Sequence, residues 1–131
     1  MSKDNAKMSR HYQIESYASL TGLNADVRVP VKPSEETAAA ITLYNLVAAK
    51  LGGQSISGGK LESAYAESLQ DAANDLVGAK GASLVVSGSN DVNVQLIVNA
   101  LNQLLGNYGA TIDFTEYSNL RQGNDTAYNK L

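Results

Sequence analysis

The sequence predicts an α/β domain, with a short, mostly parallel sheet flanked by helices in three layers. Three observations carry this. Residues 34–51, "SEETAAAITLYNLVAAKL", repeat apolar side chains at helical spacing between clear start and stop signals. "HYQIESY" (11–17) and "VRVPVK" (27–32) alternate apolar and polar residues as strands do. "GASLVVSG", an amphipathic run and "ATIDF" then follow as strand, helix, strand between 81 and 114. A crossover of that kind between parallel strands is right-handed in nearly every known case.

Each element has its own warrant. Residues 1–10 are polar and are expected to be disordered, which leaves 11–131 as a single domain. In 11–17 the alternating positions are Tyr12, Ile14 and Ser16, and a loop with Thr21-Gly22 as its turn follows. Val27, Val29 and Val31 alternate in 27–32, but Pro30 lacks a backbone donor and confines that strand to an edge. Ser34 suits a helix N-cap, Glu35 and Glu36 the positive first turn, and Lys50 with Gly52-Gly53 the end. Ala40, Leu43 or Tyr44, Val47 and Leu51 form the apolar face of that helix. "GGQSISGG" (52–59) reads as a flexible linker. A second helix is expected over 61–79, with Tyr65, Leu69, Ala72 and Leu76 on an alanine-rich face suited to close packing. The third starts at Asn90 or Asp91 and ends at Leu105 before Gly106-Asn107. Val94, Val98, Leu101 and Leu105 make its buried stripe, and Asn93, Gln95, Asn99 and Asn102 are expected in solvent. A further helix could begin at Asp125, so the unit looks open-ended and reads as a fragment of a longer chain.

Composition narrows the function classes. At 131 residues the chain suffices for one core. That core must be built from Ala, Leu, Val and Ile, because aromatics make up only 6%. A net charge of −3 and ten basic residues with no two adjacent argue against a nucleic-acid partner. With no cysteine and one histidine, cysteine-ligated clusters, thiol nucleophiles and multi-histidine zinc sites are excluded from these residues. No apolar run approaches a membrane span, and "MSKDNAKMSR" lacks the apolar centre of a secretory signal.

The chemistry-bearing candidates are few. The turn at Gly88 follows a strand and opens a helix, where α/β proteins hold phosphates. Its run G-S-N-D-V-N carries one glycine instead of G-x-G-x-x-G, and Asp91 would repel a phosphate at the helix start. Ser89, Asn90 and Asp91 equally suit a helix cap. His11, Tyr12 and Glu15 could form an acid–base group, since histidine titrates near neutrality. Asp26, Arg28 and Lys32 could touch a ligand from a polar loop. The pair Glu35-Glu36 is accounted for by the helix dipole. No nucleophile, base and orienter set emerges.

Three runs together resemble a known family. "HYQIESYASLTGLNADVRVPVKPSE", "GASLVVSGSNDVNVQLIVNALNQLLGNYGATIDF" and "SNLRQGND" are similar to the molybdopterin-oxidoreductase-like region of the large iron–sulfur subunit of bacterial alternative complex III, a quinol-oxidising respiratory complex. The match covers about residues 10–128, and its motifs are specific in combination. One departure is Val92 after Asn90-Asp91, where relatives often carry proline in that loop. The resemblance implies a Rossmann-like fragment of a molybdoenzyme-type fold. It implies a non-catalytic scaffold domain of an electron-transfer subunit, with no cofactor in this chain and iron–sulfur clusters bound by cysteines elsewhere in the parent. Partners would be other subunits of a membrane complex on the periplasmic side of the bacterial inner membrane, without insertion of this chain. Were the parent instead an active molybdopterin oxidoreductase, Gly88, Ser89, Asn90, Asn107 and Gly109 would be the cofactor contacts. A free-standing module for a small ligand or a protein is the third reading.

Overall fold

The computed structural model of the chain describes residues 8–58, 61, 63–115 and 129–130. The disorder expected for residues 1–7, the helix expected from Asp125 and the "SNLRQGND" motif lie outside them. The element order is β1 (Tyr12–Glu15), α1 (Leu20–Leu23), β2 (Val27–Pro30), α2 (Glu36–Leu51), α3 (Ala66–Gly78) and α4 (Val92–Leu104). The chain is thus a small α/β domain with a two-stranded parallel sheet and helices.

The strands pair with Tyr12 opposite Val27 and Glu15 opposite Pro30. The ladder begins with the Val27 N–H donating to the His11 carbonyl at 3.1 Å and closes with Val31 donating to Glu15 at 3.0 Å. In a parallel ladder only alternate residues of each strand point their backbone groups at the partner. Residues 11, 13 and 15 therefore face β2, and the N–H and C=O of Tyr12 and Ile14 face the opposite edge. On β2 the outward positions are Arg28 and Pro30. Proline has no N–H, so β2's free edge is blunted against further pairing. The edge placement read from Pro30 holds.

Side chains alternate as well. Val29 and Val31 are buried against Ala39 at the start of α2, with Ile14 and Val27 packed beside them. The main core lies between helices: Leu43 and Val47 of α2 meet Ala72 and Ala73 of α3 and Leu101 and Leu105 at α4. Two adjacent alanines let the α2 and α3 backbones approach closely. Val94, Val98, Leu101 and Leu105 are all buried, as the helical spacing predicts. On α2 the buried stripe is Ala38, Ala39, Leu43, Val47 and Ala48, with Ala40 only half-buried.

Helix ends follow their local chemistry with one correction. Ser34 does not cap α2. A 3-10 turn over Pro33–Glu35 leads into the helix, and the Glu35 carboxylate accepts the Lys32 N–H at 3.1 Å. Proline fits such a start because its missing donor would have no helical partner. Gly52 ends α2 at φ 75°. Asp91 is the N-cap of α4, its Oδ1 accepting from Asn93 N at 2.7 Å and Val94 N at 3.4 Å. α3 begins at Ala66, preceded by a 3-10 turn over Ser63–Tyr65, later than the expected start at 61.

The largest departure is at 81–88 and 110–114, which are not strands. The run 83–89 passes α4 with alternating burial, Val85 inward and Leu84 and Val86 exposed, but among the described residues no strand pairs with it. Residues 107–112 form a tight loop in which the Asn107 carbonyl accepts the N–H groups of Ala110, Thr111 and Ile112. The parallel pair instead lies between residues 12 and 30, joined through the one-turn helix α1. The linker expected at 52–59 is also tied down: Asn45 on α2 accepts the Ile56 N–H and donates to its C=O, both at 2.8 Å.

Candidate functional site

A groove of about 580 Å³ lies between β1 and residues 85–89, floored by α2 and α4. One wall is residues 13–17, from β1 and the bend after it, the other the run from Val85 to Ser89. Ala39, Leu43, Val94 and Leu101 give an apolar floor.

The run is held from the side away from this groove. Asn102, buried on α4, accepts the Val85 N–H through Oδ1 at 3.1 Å and donates through Nδ2 to the Val85 carbonyl at 2.7 Å. It thereby gives Val85 the pair of hydrogen bonds a neighbouring strand would supply. Gln95 donates through Nε2 to the carbonyls of Ser87 at 3.0 Å and Ser89 at 2.6 Å. Thr111 Oγ1 donates to the Ser83 carbonyl at 2.5 Å. These bonds use the odd-numbered residues. Among the described residues, the backbone groups of Leu84, Val86 and Gly88 have no hydrogen-bond partner. The expectation that Asn102 and Gln95 are solvated is therefore corrected for Asn102, which is 2% exposed, and for Gln95, which is half-buried. The spacing carried the signal: Asn102 falls four residues after Val98 and eight after Val94, on the buried stripe.

The predicted cofactor contacts separate. Gly88 and Ser89 line the groove. Ser89 Oγ accepts the Asp91 N–H, and Asp91 caps α4, as the capping alternative describes. Asn90 is exposed and is not among the groove's lining residues. Asn107 is fully buried: its Nδ2 donates to Asn102 Oδ1 at 2.8 Å and its Oδ1 accepts from Ser83 Oγ at 3.1 Å. Gly109, at φ 78°, donates its N–H to the Ile112 carbonyl in the tight loop. Neither Asn107 nor Gly109 lines the groove.

The acid–base trio does not converge. The His11 backbone N–H donates to Asp26 Oδ2, the Tyr12 hydroxyl to Asp75 at 2.6 Å, and Glu15 accepts from Arg28 Nε at 2.6 Å and Ser19 Oγ at 2.5 Å. Tyr12 and Glu15 stand on opposite faces of β1, because strand side chains alternate. Burial, reinforced by the bond to Asp75, pushes the Tyr12 phenol up to about 12. The Arg28 guanidinium and then the Ser19 hydroxyl hold the buried Glu15 carboxyl below its ordinary range. Gly22 completes this cluster, since a side chain there would collide with the Glu15 carboxylate. Arg28 thus lies on β2 in an ion pair, not in a ligand loop, and Lys32 lies 3.5 Å from Glu35. Two bonds from Thr115 likewise lower the Asp113 carboxyl.

No group of three or more histidine or acidic side chains able to hold a metal occurs among the described residues, and none of their helices is long and apolar enough to cross a membrane. No protein-family model matches the chain, and no curated protein matches it in sequence.

Proposed function

We propose that this chain is a non-catalytic scaffold domain of a respiratory electron-transfer oxidoreductase subunit of the molybdopterin-oxidoreductase-like type. In this reading the parent completes a three-layer, Rossmann-like arrangement around it, carries iron–sulfur clusters elsewhere, and faces partner subunits on the periplasmic side. One observation supports it above the rest. Val85 packs onto the helical core while its neighbours Leu84 and Val86 are 53% and 78% exposed on the opposite side. An apolar run covered on both faces is the mark of a buried parallel sheet, and in this reading the second covering layer comes from the parent. The family assignment itself rests on the three sequence runs.

The test is the metal and pterin content of the protein purified from its source in its full natural length. Iron without molybdenum or oxidised-pterin fluorescence is the expected result. Molybdenum with pterin would overturn the scaffold reading in favour of a cofactor cleft, with Gly88 and Ser89 as contacts. A monomer with neither would leave the free-standing binding module.

A further inference from the structure

We propose that the groove between β1 and 85–89 receives an extended peptide strand from a partner chain, carrying lysine or arginine beside its apolar residues. The inference rests on the scaffold reading in that it names what the scaffold docks.

The walls of the groove specify backbone more than side chains. Ile14 on one side, and Val86 and Gly88 on the other, have backbone groups with no hydrogen-bond partner among the described residues. Unpaired strand edges are templates for another strand, and proteins ordinarily blunt them. This sheet blunts one edge, at β2, where Pro30 removes the donor. The β1 edge carries no such device and opens onto an apolar floor. The run 83–89 meets the same condition from the other direction, since Asn102, Gln95 and Thr111 occupy its far side and leave the near side open. An added strand would bond to both walls and lay alternate side chains on Ala39, Leu43, Val94 and Leu101, the physics of strand addition.

Charge selects among such strands. Among the described residues the groove's charged lining is Glu15, Glu36 and Asp91, with no lysine or arginine. Arg28 neutralises Glu15, which leaves Glu36 and Asp91 to favour a cationic strand.

The experiment titrates the 131-residue chain with the peptide Lys-Val-Thr-Val-Thr-Val-Lys and follows its backbone amides by NMR. The expected result is saturable binding with shifts centred on Ile14, Val86 and Gly88. Replacing both lysines by glutamates should weaken binding at least about tenfold, as should methylating alternate peptide nitrogens. Val86→Pro removes one groove-facing donor at an exposed side chain and should have a similar effect while the fold, read by circular dichroism, is kept. No binding at millimolar peptide overturns the proposal. So does binding indifferent to nitrogen methylation, which remains decisive if Val86→Pro fails to fold. Concentration-dependent dimerisation through Val86 would assign the groove to a second copy and overturn it too. Peptide failure beside iron without molybdenum removes this inference alone, whereas peptide binding beside molybdenum with pterin removes only the scaffold reading.

Discussion

Asn102 and Asn45 perform the same operation in two settings. Each stands on a helix and brackets one residue of a distant segment, taking its N–H and giving to its C=O: Val85 for Asn102, Ile56 for Asn45. Asn102 is buried, and its amide also serves the Val98 carbonyl and Asn107. Asn45 is half-buried, and its two bonds lie at an exposed site. The bonds are alike in length, so what separates them is the alternative open to the groups when the amide is removed. At Ile56 water replaces it. At Val85 and Asn107 much less water reaches, and unsatisfied groups bear their full desolvation cost.

The sharpest way to break this comparison is Asn102→Ala. It should cost about 3 kcal/mol or more, through several part-buried groups left unpaired at once, and free the 83–89 run. Urea denaturation measures the loss, and amide exchange at Val85 reports the release. A cost near zero would mean that the run needs no anchor. Next comes Gly22→Ala, which drives a methyl into the Glu15 carboxylate and should cost about 1–3 kcal/mol by thermal unfolding. Glu15 is the buried counterpart that uses a charge, accepting the Ser19 N–H as well as Arg28.

Glu15 also gives a pH dependence whose sign follows from its lowered value. The folded state binds the proton less tightly than the unfolded chain does. Its stabilisation is therefore full above the ordinary carboxyl value of 4.5 and is lost as pH falls through the lower folded value. Glu15→Gln should flatten the acid limb of a stability–pH profile in that window and leave its alkaline limb alone. On the alkaline side Tyr12 acts in the opposite sense. Its raised value of about 12 makes its stabilisation full below pH 10 and lost between 10 and 12, so Tyr12→Phe should remove that part of the profile. The smallest effect is expected for Asn45→Ala, at about 0.5 kcal/mol, because water reaches Ile56. A cost equal to that of Asn102→Ala would sink the burial argument.

Much of the candidate groove was hidden from sequence for a related reason. Gly88 and Ser89 were legible, since a glycine after an apolar run and before a capped helix marks a loop that strand ends present. Asn102 was half legible. Its spacing from Val94 and Val98 puts it on the buried stripe, but its polarity argues for solvent, and only a backbone partner resolves the conflict. Asn107 read as a ligand contact because turns at the carboxyl ends of parallel strands bind ligands in such folds, yet its amide faces inward to Ser83 and Asn102. The unpaired edge of β1 has no sequence signature, since it depends on which neighbour is missing.

By itself the sequence determined what is decided within a few residues. The apolar stripe of α4, the Asp91 cap, the glycine stops at 52 and 106 and the edge position of Pro30 all follow from local spacing and backbone chemistry. Tertiary structure decided pairing. The runs 27–32 and 83–88 are both valine-bearing and strand-like, but only the first lies beside another strand. Strand propensity is a preference for a pleated, half-buried surface, and a strand exists only where another chain segment meets its donors and acceptors. For 83–88 an asparagine and a glutamine on a helix met half of them, and the other half faces the groove.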